Sequence, residues 1–160
     1  MKKYSLTKNK IEIIDTTLYQ IKANFNFGNV KKGELGGYIE KEENLSQSDD
    51  AWVSDDACVF DNAHVSGKAL VSGNARVFGN ARVFGNARVC DNAHVFGNAR
   101  LEGDKCFSKG WFIGGDNSGK ITDITKETGS TYWKNQYVLG DYEINNIEDA
   151  LEGFVELTLE

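Results

Sequence analysis

The central part of the chain repeats one six-residue pattern of apolar and polar positions without interruption. Nine units run from residue 51 to residue 104, and most read Ala-x-Val-x-Gly/Asp-Asn. Because Ala and Val are two residues apart, both point to one side of an extended segment, and the x residues point to the other. Gly or Asp followed by Asn predicts a turn, since Gly adopts positive φ freely and Asn tolerates it. The pattern therefore predicts short strands separated by two-residue turns.

Units this short cannot bury an apolar face alone and must stack, so the predicted fold is all-β, a parallel β-helix. The six-residue period resembles that of the left-handed parallel β-helix, in which three hexapeptides form a triangular coil of about eighteen residues. A period of six does not fit the pentapeptide-repeat solenoid. Ile39 and Leu45 extend the Ala column, and Phe107 and Ile113 extend the Val column, so we expect about four to five coils. The inward Val column comprises Val53, Val59, Val65, Val71, Val77, Val83, Val89, Val95 and Leu101.

The segment before the repeats is predicted to close one end of the solenoid, since an uncapped end coil exposes unpaired strand edges. Residues 1–38 are expected to form this N-terminal β cap, and 39–116 the left-handed β-helix. Within the cap we predict a hairpin from Lys10 to Phe27, because apolar residues alternate with polar ones from Tyr19 onward.

The segment after the repeats is predicted to close the other end. Residues 117–160 are expected to form a small acidic C-terminal cap. A hairpin is predicted to join 120–125 to 131–138. A short helix is predicted to start at Asn146, an acceptable N-cap residue.

The net charge narrows the class of partner. The chain carries −6, and residues 141–160 contain seven acids and no Lys or Arg, which leaves +1 for the rest. The nine repeats hold five cations against six acids. A protein that mimics DNA should carry carboxylates along its solenoid at about the phosphate density of a duplex, one charge per ~1.7 Å. The repeats do not, so mimicry is expected at most through the acidic C-terminal cap, and the same charge balance argues against direct binding of duplex nucleic acid.

Composition bears on location. No stretch approaches the ~18 apolar residues that a membrane span needs, and the first ten residues lack the apolar core of a signal peptide. Three cysteines, an odd number without metal-ligand spacing, suggest reduced thiols. We therefore expect a cytoplasmic protein without membrane contact, metal or cofactor.

Outward positions eighteen residues apart should lie on the same face of the prism. Phe60, Phe78 and Phe96 share one corner in this arrangement. An exposed row of rings would indicate a partner surface, most simply one between copies in a dimer or trimer. The same row could instead stabilise the solenoid by stacking, or be covered by a cap. The sequence leaves both interpretations open.

Basic residues beside aromatic ones supply the candidate binding site. Arg76 and Arg82 each precede a phenylalanine by two residues, Phe78 and Phe84 respectively, and so point the same way. A guanidinium next to a ring suits a phosphate-bearing ring, such as a nucleotide, or an acidic patch on a host protein. Further candidates on the outward columns are Arg88, Arg100 and His94.

Three segments carry a resemblance to a known family. GNARVFGNARVFGNARV, the preceding GELGGYIEKEENLSQSDDAWV and the following WFIGG resemble phage- and prophage-encoded hexapeptide-repeat proteins. Units in that family read GNARVYG, and its members are often labelled transferases or polymer-forming proteins. The resemblance covers roughly residues 4–116 and implies a left-handed β-helix and a mobile-element origin. It implies no catalytic residues.

Two functions compete at this stage. The favoured one is a non-catalytic binding protein that acts in the host cytoplasm, sequestering a host ligand or inhibiting a host defence protein. The alternative is a trimeric hexapeptide-repeat acyltransferase that uses coenzyme A and a histidine base. His64 and His94 both occupy variable outward positions, and no loop interrupts the nine units, so we predict that neither histidine is catalytic.

Overall fold

The structure of the chain is a computed structural model. It describes residues 1–13, 15–104 and 106–108, and the backbone of the strands at 111–114, 122–123, 138–139 and 142–143. The elements are β1 (Tyr4–Ile13), β2 (Thr16–Ala23), β3 (Leu35–Ile39), a 3-10 turn (Glu42–Asn44), β4 (Trp52–Val53), β5 (Cys58–Val59), β6 (His64–Val65), β7 (Leu70–Val71), β8 (Arg76–Val77), β9 (Arg82–Val83), β10 (Arg88–Val89), β11 (His94–Gly97), β12 (Arg100–Leu101), β13 (Cys106–Phe107), β14 (Trp111–Gly114), β15 (Thr122–Asp123), β16 (Val138–Leu139) and β17 (Tyr142–Glu143).

The repeats form three parallel sheets, one per face of the solenoid. The strand orders are β3-β5-β8-β11-β14, β4-β7-β10-β13 and β6-β9-β12. Within the repeats each strand pairs with the one eighteen residues later, so that Val59 pairs with Val77 and Val77 with Val95. The six-residue spacing is not kept on either side of the repeats, and the expected register is corrected there. Ile39 pairs with Val59 and Leu45 with Val65, so both continue the Val column and not the Ala column, and Phe112 rather than Ile113 lies opposite Val95. The all-β solenoid predicted from the repeat is confirmed.

The core is a closed stack of Ala and Val side chains. Every Ala and Val of the inward columns is buried, from Ala51 to Leu101. Backbone amides continue the ladder between coils, as in the bond from the Ser54 amide to the Val71 carbonyl at 2.8 Å. The body of the protein is therefore built from one local pattern, and its surface is what distinguishes one face from another.

The N-terminal hairpin is present and is longer at its start than predicted. β1 and β2 pair antiparallel, β2 pairs with β3, and β3 pairs in parallel with β5, so the cap continues one face of the solenoid. The first strand begins at Tyr4 rather than near Lys10. Its early residues are mostly exposed and polar, and this is why apolar alternation did not mark them. The turn includes Asp15 at φ 61°.

The predicted C-terminal elements fall mostly outside the described residues. β15 pairs antiparallel with Phe112 and Ile113 of β14, and β16 pairs with β17. The remainder of the predicted hairpin and the helix expected from Asn146 lie outside the part that the structure describes. Among the described residues, no helix has the length and apolar character needed to cross a membrane.

Two glycines allow β3 to lie directly on the first coil. A Cβ at Gly36 would stand 2.5 Å from the carbonyl oxygen of Val53. A Cβ at Gly37 would stand 2.6 Å from the carbonyl oxygen of Ala57 and 2.8 Å from Cγ1 of Val53. Real Cβ atoms do not approach backbone so closely, so the Gly-Gly pair in LGGYIE is required by this contact.

The side chains of Lys3, just before β1, and of Tyr4, its first residue, fasten the cap to the first coil. The buried Lys3 Nζ donates to the carbonyls of Asp49 at 2.8 Å and Ala51 at 2.7 Å, and burial lowers the pKa of Lys3. The Tyr4 hydroxyl donates to the Leu45 carbonyl at 2.7 Å. Trp52, on an outward position, is buried against Tyr4 at 6.4 Å between ring centroids. The cap thus removes one outward aromatic residue from the surface.

Candidate binding surface

The phenylalanine column is a buried stack. Phe60, Phe78 and Phe96 are each 0% exposed. Neighbouring ring centroids lie 5.1 and 5.0 Å apart, with interplanar angles of 6° and 3°. The expectation that these rings form an exposed contact surface is therefore corrected, and the stacking alternative describes their geometry. A homo-oligomer stays a prediction, without support from this column.

The face that carries Arg76 and His94 is largely covered. Cys58 is 3% exposed, and burial raises the pKa of its thiol to about 11. His94 is half-buried, its Nδ1 lies 2.8 Å from the Asn92 carbonyl, and burial lowers its pKa to about 4. Since Phe78 is buried, the predicted pairing of Arg76 with an exposed ring is absent. Among the described residues, Cys58 and Phe78 of this face are therefore closed to a ligand.

The next face carries an open groove, which we call the Asn/Arg groove. Arg82 and Arg100 are exposed and lie in register on β9 and β12. Three asparagines border them in a ladder along the stacking direction. The groove encloses about 300 Å³ and is lined by Asn62, Asn80, Arg82, Asn98 and Arg100.

The asparagine side chains of this groove are linked to one another by hydrogen bonds. Asn62 Nδ2 donates to Asn80 Oδ1 at 3.3 Å, and Asn80 Nδ2 donates to Asn98 Oδ1 at 3.2 Å. No carboxylate lines the groove, and within the described part of the chain neither guanidinium forms an ion pair. The groove therefore presents two positive charges and a row of amides without an internal counter-charge.

Phe84 lies next to the Asn/Arg groove and contacts one of its arginines. The Arg100 guanidinium carbon lies 5.6 Å from the centroid of the half-buried Phe84 ring. At an exposed site, a cation–π contact of this kind contributes a stabilising free energy of about 0.5–1 kcal/mol. The predicted association of arginine and phenylalanine is present here, although the arginine over the ring is Arg100, one coil above the expected Arg82. The Phe84 ring therefore positions the Arg100 guanidinium, and this contact occupies one face of the ring.

Arg88 lies on the third face, in a groove of about 650 Å³ whose charges are mixed. Lys68 and Arg88 line it together with Asp50 and Asp104, and Asp104 accepts a hydrogen bond from Asn86 at 3.0 Å. The four candidate arginines thus belong to three separate faces. Only Arg82 and Arg100 are brought together.

The asparagines line the groove, a role that the repeat pattern did not predict. The Asn column was visible in the repeat, where it predicts turns. Only the stacking of every third unit places Asn62, Asn80 and Asn98 beside two arginines. An eighteen-residue interval applied to the turn positions would have found this row.

Each histidine ring contacts a backbone carbonyl. His64 Nδ1 lies 2.6 Å from the backbone carbonyl of Glu43, and His94 Nδ1 contacts the carbonyl of Asn92. The described residues hold no group of three or more His, Cys, Asp or Glu side chains suited to a metal ion.

Comparison with known families agrees with this architecture. A family model described as the YdcK beta solenoid repeat matches residues 69–85 and, in a second placement, 75–90. The chain is similar to this repeat family in its central coils. Asn80 and Arg82 lie inside the matched β-solenoid repeats, and Arg100 lies beyond them. No curated protein matches the sequence.

Proposed function

We propose that this β-solenoid repeat protein is a non-catalytic binding protein of phage or prophage origin, wound as left-handed hexapeptide coils. Its target is a small phosphate-bearing ligand, such as a host nucleotide, which it sequesters. The observation that carries the proposal is the Asn/Arg groove, where Arg82 and Arg100 stand in register on adjacent coils with no carboxylate lining the site. The origin and the winding rest on the resemblance of the repeat and of the LGGYIE segment.

The chemistry of the groove suits a phosphate. Guanidinium groups form short, charge-assisted hydrogen bonds to phosphate oxygens, and these are roughly twice as strong as neutral ones. Asn80 lies between Asn62 and Asn98 and offers amide groups beside the guanidinium groups. The volume of about 300 Å³ is at the lower end of the range for small-ligand sites. A phosphate group and part of its ester therefore match the groove in size and charge.

Rigidity favours binding at this site. Arg82 and Arg100 project from strands whose amides are bonded to neighbouring coils, as in the bond from the Arg82 amide to the Ala99 carbonyl at 2.8 Å. The contact with Phe84 further restricts Arg100. A site ordered before binding loses less conformational entropy when the ligand arrives. The same rigidity suits recognition without catalysis.

Titration calorimetry with adenosine and guanosine mono-, di- and triphosphates tests the proposal. We expect saturable binding that weakens as salt is raised, because the contacts are charge-assisted. Arg82→Glu with Arg100→Glu should fold as the parent does and weaken binding at least tenfold. Arg88→Glu, on a separate face, is the matched control and should bind as the parent does. Equal affinity in the double variant and the parent, or no binding by the parent, would reject a phosphate site here.

A further inference from the structure

Cys90 and Cys106 lie on adjacent coils, on the face of the solenoid that carries neither histidine. β10 and β13 pair in parallel, with Arg88 opposite Cys106. Cys90 follows Arg88 by two residues and points to the same side. Its backbone amide donates to the Phe107 carbonyl at 2.9 Å, so the ladder continues past the strand. Cys90 and Cys106 are therefore diagonal neighbours on adjacent coils.

The diagonal spacing is too long for a disulfide at rest. Coils are ~4.8 Å apart and residues two positions apart along a strand ~6.6 Å, which gives about 8 Å between the two Cα atoms. Disulfides join Cα atoms about 4.4–6.8 Å apart through an S–S bond of about 2.05 Å. A metal ion with two metal–sulfur bonds of about 2.3 Å can join sulfurs up to about 4.6 Å apart. The register therefore favours a bridging ion over direct oxidation.

The electrostatics agree with close thiols. Partial burial and then the neighbouring Cys106 raise the pKa of the Cys90 thiol, while Arg88 acts in the opposite direction. Cys106 is exposed and lines the groove of about 650 Å³ that also contains Arg88. An ion can thus reach the thiols from solvent, and a cation stands beside the site.

We propose that Cys90 and Cys106 form a two-thiolate site for Cu(I). Thiolates are soft ligands that select Cu(I). Zn²⁺ requires four ligands, and the described residues provide no cluster of three or more His, Cys, Asp or Glu side chains. Binding exchanges the two thiol protons for one Cu(I), which leaves a net charge of −1 at the site. The Arg88 guanidinium compensates this charge.

Competition with a coloured Cu(I) chelator tests the site in the full chain. The reduced protein is titrated without oxygen into Cu(I) held by bicinchoninate, and loss of the chelate absorbance reports transfer. We expect one Cu(I) per chain, independent of protein concentration. Cys90→Ser and Cys106→Ser should each weaken binding at least 100-fold. Cys58→Ser is the matched control, because Cys58 is buried on another face, and it should bind as the parent does.

Several outcomes would overturn the site. These are no transfer to the parent protein, parental affinity in either Cys90→Ser or Cys106→Ser, loss of binding in Cys58→Ser, or one ion shared by two chains. Circular dichroism checks that each variant is folded. Should a serine variant fail to fold, alkylation of exposed thiols in the folded parent replaces it, and the alkylated protein is expected to lose Cu(I) binding.

Discussion

Asp61 Oδ2 accepts a hydrogen bond from the backbone amide of Gly79, one coil further along, at 3.1 Å. The same bond joins Asp49 to Gly67 at 2.6 Å and Asp55 to Gly73 at 3.0 Å. In each case an aspartate of the first coil bonds the glycine that occupies the same turn in the second coil. These carboxylates fasten the start of the solenoid, where the cap meets the regular repeats.

Asp61→Asn should remove a pH dependence and keep this bond. Burial raises the pKa of Asp61 above its ordinary value, so the folded state disfavours the charged carboxylate. The folded protein therefore binds the proton more tightly than the unfolded chain, and the contribution of Asp61 to stability falls as pH rises through the raised pKa. Because the amide oxygen still accepts from Gly79, the variant should gain stability relative to the parent at pH 7 and not at pH 3.

Urea unfolding at the two pH values measures this difference. Asp91→Asn is the control, because Asp91 also adopts a positive φ, 53°, and is exposed. An equal difference between Asp61→Asn and the parent at both pH values would contradict the assignment.

His94→Gln should flatten the acid limb of the stability profile. Burial holds the pKa of His94 at about 4, against about 6.5 in the unfolded chain. Stability from the neutral ring is present above pH 6.5 and is lost as pH falls toward 4, by at most about 3 kcal/mol. Thermal unfolding of the variant between pH 4 and 7 should show a shallower decline than the parent. His64→Gln serves for comparison, and a parental slope in His94→Gln would refute the burial effect.

Phe78→Ala should be strongly destabilising, since it removes the middle ring of the stack. Loss of a buried phenylalanine costs about 3–5 kcal/mol, and two ring contacts are lost with it. Phe84→Ala, at the same repeat position but half-buried, should cost much less. Chemical denaturation of both variants gives the comparison. Similar losses in the two would mean that the stack contributes no more than an ordinary half-buried ring.

Gly37→Ala should loosen the cap. The added methyl would meet the Ala57 carbonyl at 2.6 Å, and relief requires movement of the backbone. Overpacking of this kind costs about 1–3 kcal/mol or more. Hydrogen exchange should then show faster opening of β2 and β3, with the central coils less affected. Leu35→Ala, at an exposed position of the same strand, is the control, and unchanged exchange in Gly37→Ala would contradict the close contact.

The solenoid could be predicted from sequence because its causes are local and repeated. The Ala and Val columns follow from a period of two within each strand, and the turns follow from Gly, Asp and Asn. The arginines could be named as candidate binding residues because they too recur at a fixed outward position of the repeat. Which of them act together could not be predicted, because this depends on three-unit stacking and on what covers each face. The asparagine ladder and the Cys90–Cys106 diagonal are contacts of that kind.

Phe78 and Phe84 have the same local sequence but different surroundings in the structure. Both stand in identical ARVFGN units six residues apart, so the sequence assigns them the same position in the strand and the same outward direction. The tertiary structure buries Phe78 completely in a stack and leaves Phe84 half-buried beside Arg100. The period determined the fold and the inward core, since every unit meets the same neighbours there. The surroundings of each outward side chain were decided by the residues on adjacent coils, because Phe78 lies between Phe60 and Phe96 whereas Phe84 lies against Arg100.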